Sequence, residues 1–324
     1  MKYKGRFLFY LTSILLLLLS SLLSGCNNNM PVESTQNRAS YTVTDSTGNK
    51  IVFKESPRRI VSLSLGVDEV LMDMIGPDRI VALTYLADDP GISSIAAKAS
   101  AVKLRTKGAN YEAIIAMNPD LVLLPDWAGT EQIQGLRDVG IPVYIYKTPV
   151  TIKEIQQSIL EIAHVVNAEK EGKLLVAEMQ KKLDMVQRKL SIIPASERKT
   201  VVAMSLMGAF GGKDTTFDDI CRYAYVKNGV AQAGANKNET ISKEMIVKID
   251  PDVLIMPSWN FGYDGEPMTF INSVRDDSSL QTIKAIKNDK LIQVNDACLY
   301  SISHYAANAV EEIAKTVYPE YFND

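Results

Sequence analysis

The side chains best suited to chemistry do not form a recognisable catalytic set. Asp68 and Glu69 are adjacent in the chain, so on a helix their carboxyl groups would point about 100° apart and make a poor acid–base pair. The sequence contains no G-x-S-x-G elbow, GxxxxGK[ST] loop or HExxH motif. Two histidines are too few for the usual nitrogen-rich site of a first-row metal ion. These features favour binding over catalysis.

A repeated unit carries the most distinctive acidic and aromatic residues. The segment "NYEAIIAMNPDLVLLPDW" at 110–127 returns as "SKEMIVKIDPDVLIMPSW" at 242–259. The alignment places Glu112 on Glu244 and Trp127 on Trp259, and these are the only two tryptophans of the chain. A shared Asx-Pro-Asp turn is a common chain reversal, but the added glutamate and tryptophan matches indicate a true repeat.

Alternating strand and helix patterns position the repeated residues. The segments "RIVSLSL", "RIVALTYL", "DLVLLP" and "PVYIYK" are nearly continuous runs of strand-forming residues separated by helical patterns, which is typical of a parallel sheet covered on both faces. A second alternation begins at "KTVVAMSLM". Between them, residues 151–190 have apolar residues at helical spacing, interrupted only by Gly172. The expected fold class is α/β, with two doubly wound α/β lobes joined by a single long connector helix.

Each repeated unit predicts a helix, a turn and a returning strand. Asn110 and Ser242 are good helix N-caps, two positions before each glutamate. After the turn the strand runs back, so the glutamate and the tryptophan of one unit reach the same edge of their lobe. That edge carries the carboxyl ends of the strands, where open α/β sheets bind ligands. Two such edges facing each other would form a cleft.

The N-terminus has the pattern of an export signal. Lys2, Lys4 and Arg6 precede the apolar run "FLFYLTSILLLLLSSLL", which ends at "LSGC". An uncleaved anchor helix is the alternative, because the run approaches membrane-spanning length. Leu-Ser-Gly-Cys resembles a bacterial lipobox, which implies cleavage before Cys26 and lipid attachment to its sulfur. The polar residues 27–40 are expected to form a flexible tether, which would anchor an extracytoplasmic lipoprotein to the cell membrane.

These patterns divide the chain into five expected parts. They are a signal peptide at 1–25, the lipid-anchored tether and entry at 26–56, an N-terminal lobe at 57–150, the connector helix at 151–190 and a C-terminal lobe at 191–324. A net charge of −3 provides no basic footprint for nucleic acid. Cys221 and Cys298 could pair outside the cell, although free buried thiols are the alternative.

Five segments in order make the chain similar to the substrate-binding lipoproteins of ABC importers for ferric siderophores, cobalamin and haem. The segments are "PRRIVSLSLGVDEVLMDMIGPDRIVALT", "NYEAIIAMNPDLVLLP", "ISKEMIVKIDPDVLIM", "LQTIKAIKNDKLIQV" and "AANAVEEIAKTVYPEYF". The resemblance implies a monomeric, non-enzymatic protein without a cofactor that delivers an iron(III)–siderophore complex to an ABC importer. Cobalamin or haem is the alternative cargo. A surface-anchored sensor, adhesin or hydrolase is the more distant alternative.

The resemblance also assigns roles to individual residues. It implies that Glu112 and Glu244 dock onto arginines of the two permease subunits, although a glutamate in the first turn of any helix is favoured by the helix dipole. It implies small lobe movements on ligand capture, because a helix rather than hinge strands joins the lobes. His304 stands where many relatives carry an arginine that helps to hold the ligand.

Candidate ligand-binding residues follow the ends of the predicted strands. Large chelates need broad aromatic contacts and a few orienting polar groups. Core packing is the alternative for each aromatic side chain, and a solvated turn is the alternative for Arg105. The candidates are Ser64, Leu65, Tyr85, Arg105, Trp127 and Tyr146 in the first lobe, and Phe210, Trp259, Phe261, Tyr263, Tyr300 and His304 in the second.

Overall fold

The computed structural model describes residues 40–108, 110–237, 239–260 and 266–323. The predicted signal peptide, the tether, the lipidation site Cys26 and the ligand candidates Phe261 and Tyr263 lie outside the described residues. Within the described ranges, none of the helices combines the length and the apolar character needed to cross a membrane.

The first sheet consists of five parallel strands, and a hairpin precedes it in the chain. The hairpin pairs β1 (Tyr41–Thr44) with β2 (Lys50–Phe53). The sheet has the spatial order β5-β4-β3-β6-β7. Its strands are β3 (Ile60–Ser62), β4 (Ile80–Thr84), β5 (Leu104–Thr106), β6 (Leu121–Pro125) and β7 (Val143–Tyr146). The strand order reverses between β3 and β6, so the topological switch point of this sheet lies between their carboxyl ends.

The second sheet repeats this plan with one added antiparallel strand. The parallel strands have the order β10-β8-β11-β12, and β9 pairs with β8 as a hairpin. The strands are β8 (Thr200–Ser205), β9 (Gly208–Phe210), β10 (Lys227–Asn228), β11 (Val253–Met256) and β12 (Leu291–Gln293). The expected α/β class with two doubly wound sheets is confirmed.

Thirteen α-helices in the described residues cover the sheets. They are α1 (Leu65–Met74), α2 (Ala96–Ala99), α3 (Tyr111–Ala116), α4 (Thr130–Asp138), α5 (Ile152–Val165), α6 (Glu169–Leu190), α7 (Thr216–Tyr223), α8 (Gly229–Gln232), α9 (Lys243–Ile249), α10 (Pro267–Arg275), α11 (Lys284–Lys287), α12 (Asp296–Leu299) and α13 (Ala306–Val317). Short 3-10 turns lie at Pro77–Arg79, Tyr85–Asp88, Ser278–Leu280 and Pro319–Tyr321.

The prediction of a single connector helix is wrong, because residues 151–190 form the two helices α5 and α6. Asn167 between them has a φ of 54°, a left-handed conformation that asparagine tolerates better than most residues. Gly172, the expected interruption, is buried inside α6. The spacing of apolar residues did not reveal the break, because each of the two helices buries one apolar face. The helical pattern therefore continues on both sides of the turn.

The predicted N-caps of the repeated units are confirmed. Asn110 accepts a hydrogen bond from the Ala113 N–H at 3.0 Å, and Ser242 accepts one from the Met245 N–H at 3.4 Å. Each cap satisfies a backbone donor that has no partner inside the helix. The two helices therefore begin in the same way and place Glu112 and Glu244 in equivalent first turns.

The repeated turns also attach each unit to its sheet. The carboxylate of Asp120 accepts hydrogen bonds from the Arg58 and Arg59 N–H groups at 2.7 and 2.8 Å, just before β3. Asp252 accepts one from the Thr200 N–H at 2.8 Å, at the start of β8. These bonds fix the start of the strand that neighbours each repeated strand. The turn thus sets the alignment of two strands as well as reversing the chain.

One hydrophobic core extends through both halves of the described chain. It joins buried side chains of the first sheet, such as Leu121, to those of the second, such as Ala203, through Ile155, Val186 and Val310 on three helices. Buried apolar surface stabilises a fold by about 25 cal/mol per Å², so this shared core disfavours separation of the sheets. The expected boundaries between the lobes stay predictions.

A buried aspartate secures the first sheet near its carboxyl edge. Oδ2 of Asp68 accepts hydrogen bonds from the Thr84 N–H at 2.8 Å and the Thr84 hydroxyl at 2.6 Å. Asp68 is fully buried, and this burial raises its pKa from 3.8 to about 7. Asp68 on α1 therefore holds the last residue of β4 in place.

The packing of α5 against α6 makes a prediction about Gly172→Ala. Helix propensity alone favours alanine over glycine by about 1 kcal/mol. A Cβ at Gly172 would overlap the Cβ of Ala163, and overpacking typically costs about 1–3 kcal/mol. We expect Gly172→Ala to lower the free energy of unfolding in urea, whereas Gly129→Ala, where the added Cβ meets open space, should change it little. A more stable Gly172→Ala variant would contradict the close packing.

The raised pKa of Asp68 predicts a pH dependence of stability. Between pH 3.8 and about 7 the folded protein binds a proton that the unfolded chain releases, so stability falls as the pH rises through this window. An asparagine side chain at this position would accept both bonds from Thr84 without titrating. As the pH rises from 5 to 7.5, we expect the free energy of unfolding of Asp68→Asn to increase by about 1 kcal/mol or more relative to that of the wild type. Urea unfolding at each pH measures this difference. Asp78→Asn, at an exposed position, is the control. If the free energy of unfolding of the wild type and of Asp68→Asn changed in parallel with pH, the raised pKa of Asp68 would be refuted.

Candidate ligand-binding site

A pocket opens at the switch point of the first sheet. Its volume is about 440 Å³, within the usual range for sites that hold part or all of a small molecule. The residues that form it follow the carboxyl ends of neighbouring strands. They are Leu63, Ser64, Leu65, Thr84, Tyr85, Leu86, Thr106, Gly108, Leu124, Pro125, Trp127, Ala128, Gly129 and Gln132.

The pocket is uncharged and has an aromatic rim. None of the described residues that line it has an ionisable acidic or basic side chain at neutral pH. The side chains of Trp127 and Tyr85 are 70% and 49% exposed, although both have large apolar surfaces that proteins usually cover. Lys107 lies outside the lining, with its Nζ 5.5 Å from the centre of the Tyr85 ring. The arrangement suits a ligand surface that is apolar, flat and uncharged.

Two hydroxyl groups in the pocket are held by buried partners. The Tyr146 hydroxyl donates to Ser64 Oγ at 2.5 Å, and the Val67 N–H donates to the same oxygen at 3.4 Å. Burial raises the pKa of Tyr146, so its phenol stays protonated and remains a donor. Ser64 therefore keeps its own O–H available for a ligand. Thr84 donates its hydroxyl hydrogen to Asp68 and keeps lone pairs that can accept.

The structure brings four of the six first-lobe candidates together. Ser64, Leu65, Tyr85 and Trp127 line the pocket. Tyr146 is 1% exposed and supports Ser64 from behind. The sequence analysis did not select Thr106 and Gln132, which also line the pocket. Thr106 ends β5, and Gln132 lies in the first turn of the helix after β6. A search of all residues at and just after strand ends could have found both.

Arg105 is turned away from the pocket. Its guanidinium group forms two hydrogen bonds with the carboxylate of Asp88, at 2.8 and 2.6 Å, and a third with the Ala99 carbonyl at 2.9 Å. This bidentate pairing lowers the pKa of Asp88, because the hydrogen bonds favour the ionised carboxylate. Arg105 thus stabilises the loops around β5 and does not line the pocket.

Trp259 connects the two halves of the molecule. Its indole N–H donates to Asp89 Oδ2 at 2.9 Å, and its ring lies against Gly91, where an added Cβ would overlap it. The backbone N–H groups of Ser258 and Trp259 both donate to Asp296 Oδ2 at 2.8 Å. Trp259 does not line the pocket, so the two tryptophans of the repeat occupy different surroundings.

A second polar contact between the halves involves Asp73 and His304. The imidazole Nε2 lies 3.0 Å from Asp73 Oδ2, and the Tyr305 hydroxyl donates to the same oxygen at 2.6 Å. Burial lowers the pKa of His304 to about 4, so the ring is neutral at pH 7 and Nε2 carries the donated hydrogen. His304 therefore binds the first lobe rather than the pocket.

A buried glutamate completes this contact. Glu69 is 1% exposed, and its carboxylate accepts bonds from the Ser301 hydroxyl at 2.7 Å, the Ser303 hydroxyl at 2.6 Å and the Ser94 N–H at 3.0 Å. Burial raises the pKa of Glu69, and the hydroxyl donors oppose that shift. We call Glu69 and Asp73 with their partners Ser301, Ser303 and His304 the interlobe clamp.

The remaining second-lobe candidates pack together beside the core. The rings of Phe210 and Tyr300 stack with their centroids 5.1 Å apart and an interplanar angle of 22°. Neither ring lines the pocket. Such offset stacking adds about 0.5–1.5 kcal/mol to the burial of the rings. The two side chains thus have a structural contact that the sequence did not predict.

Glu112 and Glu244 are exposed in the first turns of α3 and α9. A hydrogen bond with Ser242 lowers the pKa of Glu244, which keeps this carboxylate ionised at neutral pH. The N-terminal end of each helix also favours a negative charge. Both side chains are thus exposed at equivalent positions of the two repeated units.

The two described cysteines do not line the pocket. Cys221 and Cys298 are free and buried, which decides between the two alternatives for these thiols. Among residues 40–323, leaving out the undescribed positions, no group of three His, Cys, Asp or Glu side chains could hold a metal ion.

The family model described as "Periplasmic binding protein" matches residues 60–297. An uncharacterised ABC transporter substrate-binding lipoprotein of Bacillus subtilis is 27% identical over 95% of this chain and 97% of its own. The Fe(3+)-citrate-binding protein of the same organism is 24% identical over 87% of each chain. The apo form of a periplasmic haem-binding protein from Roseiflexus has a similar fold, with a TM-score of 0.68 and 20% identity over 82% of this chain and 99% of its own.

The family match covers most of the described chain, and it includes all the strands of both sheets, the pocket and both repeated units. Proteins of this kind bind and carry a ligand as cargo, so the expectation of a binding protein without a cofactor is confirmed. The chain belongs to the periplasmic binding protein family and is a binding protein rather than an enzyme.

Proposed function

We propose that this protein captures an iron(III)–siderophore complex outside the cytoplasm and delivers it to an ABC importer. The observation that carries the proposal is the uncharged, aromatic-rimmed pocket at the switch point of the first sheet. Siderophores enclose the metal in an organic shell, and such a shell offers apolar surface to Trp127 and Tyr85. The fixed hydroxyls of Ser64 and Thr84 can orient polar groups of that shell.

The uncharged lining also favours neutral ligands over strongly charged ones. A densely anionic chelate such as ferric citrate would lose hydration in this pocket without gaining a cationic partner from the described lining. A neutral or weakly charged siderophore has no such cost. Cobalamin or haem is the second candidate, because flat apolar ring systems also suit the exposed faces of Trp127 and Tyr85.

We further propose that the mature chain is a monomer held at the membrane by lipid on Cys26. The lipobox-like "LSGC" and the polar residues that follow it support this anchor. The exposed carboxylates Glu112 and Glu244 serve as the contacts for arginines of the two permease subunits. Their equivalent positions at the starts of two repeated helices support a role that is used once per lobe.

Tryptophan fluorescence tests the site and the ligand class together. Trp259→Phe leaves Trp127 as the single tryptophan, and Trp127→Phe leaves Trp259. Titration with neutral ferric siderophores should quench the tryptophan fluorescence of the first variant at micromolar ligand and change that of the second much less. Ferric citrate should quench neither variant at that concentration, and titrations with cobalamin and haem test the second candidate. We expect Trp127→Ala to weaken binding by about tenfold, since an aromatic contact provides roughly 1–2 kcal/mol. Unchanged affinity in Trp127→Ala, or no binding by any siderophore, would contradict the proposal.

Charge reversal tests the docking glutamates. The double variant Glu112→Arg and Glu244→Arg should lose most ligand uptake by cells, because each arginine would repel a cationic permease surface. Its ligand affinity in solution should equal that of the wild type, since neither residue lines the pocket. Glu178→Arg, an exposed position on α6, is the matched control. Full uptake by the double variant would exclude the docking role.

A further inference from the structure

A basic groove lies apart from the pocket, where α5, α6 and α7 meet the loop before β8. Two adjoining cavities of about 640 and 380 Å³ share Arg198 and Arg222 in their walls. Five cationic side chains line the two cavities, against the two carboxylates of Asp218 and Asp219. The cations are Lys153, Arg198, Lys213, Arg222 and Lys227. This local excess of positive charge contrasts with the net charge of −3 of the whole chain.

Arg198 is held in place without a carboxylate partner. Its guanidinium carbon lies 4.6 Å from the centre of the Tyr225 ring, a cation–π contact that fixes the plane of the group. Its Nε is buried and has no hydrogen-bond partner among the described residues. An unpaired buried donor of a charged group is costly, so an oxyanion that accepted from this nitrogen would be favoured.

The residue that makes this contact, Tyr225, has an unfavourable backbone conformation. Helix α7 ends in a Schellman motif, in which the Val226 N–H donates to the Cys221 carbonyl at 3.0 Å and the Tyr225 N–H donates to the Arg222 carbonyl at 3.3 Å. The motif places Tyr225 at a φ of 60°, where glycine is the usual residue and a side chain is disfavoured. A tyrosine here keeps the Arg198 guanidinium stacked at the groove.

Three donors approach the groove from different walls. Arg198 comes from the loop before β8, Arg222 from α7 and Lys153 from α5. Asp219 is 3% exposed and balances part of this charge through its ion pair with Arg222, while its other oxygen accepts from the Ile152 N–H at 2.6 Å. A planar carboxylate is satisfied by a single guanidinium fork, whereas a tetrahedral phosphate offers oxygens in several directions. We propose that this groove binds the phosphate group of a dissolved phosphate compound or of a phospholipid headgroup.

The test uses the full chain and follows hydrogen exchange of residues 216–228. In one arm, inorganic phosphate is titrated at constant ionic strength into the protein in micelles of dodecyl maltoside, a detergent that contains no phosphate. In the other arm, phosphatidylglycerol is added to these micelles in the absence of free phosphate. Protection in the first arm identifies a dissolved phosphate, and protection only in the second identifies the headgroup. Absence of protection in both arms overturns the proposal.

Variants test whether the protection depends on the residues of this groove or on general electrostatic attraction to the protein. Arg198→Gln and Arg222→Gln should each weaken the protective effect by at least about tenfold. Arg188→Gln removes an exposed charge from α6 outside the groove and should have no effect. Tyr225→Gly preserves the helix end, because glycine suits this conformation, and should also weaken the effect. Equal protection in the Arg198, Arg222 and Arg188 variants overturns the proposal.

Discussion

The buried contact between helix α1 and the segment after α12 is the constraint on which the arrangement of the molecule depends. Glu69 and Asp73 lie one turn apart on α1, and both receive hydrogen bonds from residues 301–305. Glu69 is buried, and a buried carboxylate is tolerated only when its oxygens are paired. Separation of the two halves would remove these partners and break the shared core at the same time. The interlobe clamp therefore favours one fixed arrangement of the two halves.

The two repeated units show how one structural frame can serve different purposes. Their N-caps, turns and strand attachments are equivalent, since these features determine whether the helix and strand form at all. Beyond the frame they diverge. Trp127 stays exposed at the pocket, whereas Trp259 is bound to Asp89 of the other half. One tryptophan is thus exposed at the pocket while the other helps to join the lobes.

The sequence was informative wherever a local pattern determined the structure. Continuous apolar strands predicted parallel sheets. The rule that ligands bind at the carboxyl ends of strands selected Ser64, Leu65, Tyr85 and Trp127, and these four residues line one pocket. The break at Asn167 was missed because apolar periodicity continues on both sides of it. The partners of Trp259, His304 and Arg105 were also missed. These pairings depend on how distant segments come together, and nothing in the local sequence around His304 points to Asp73.

The central claim is that the interlobe clamp holds both lobes as one body, and a distance measurement between the lobes tests it most directly. Spin labels can be placed at the exposed positions Asp138 on α4 and Lys287 on α11, and the distance followed by double electron–electron resonance. The account predicts a single narrow distribution in the free protein that stays unchanged when a ligand saturates the site. A broad or bimodal distribution in the free protein, or a shift to shorter distances on loading, would show hinge closure and contradict it.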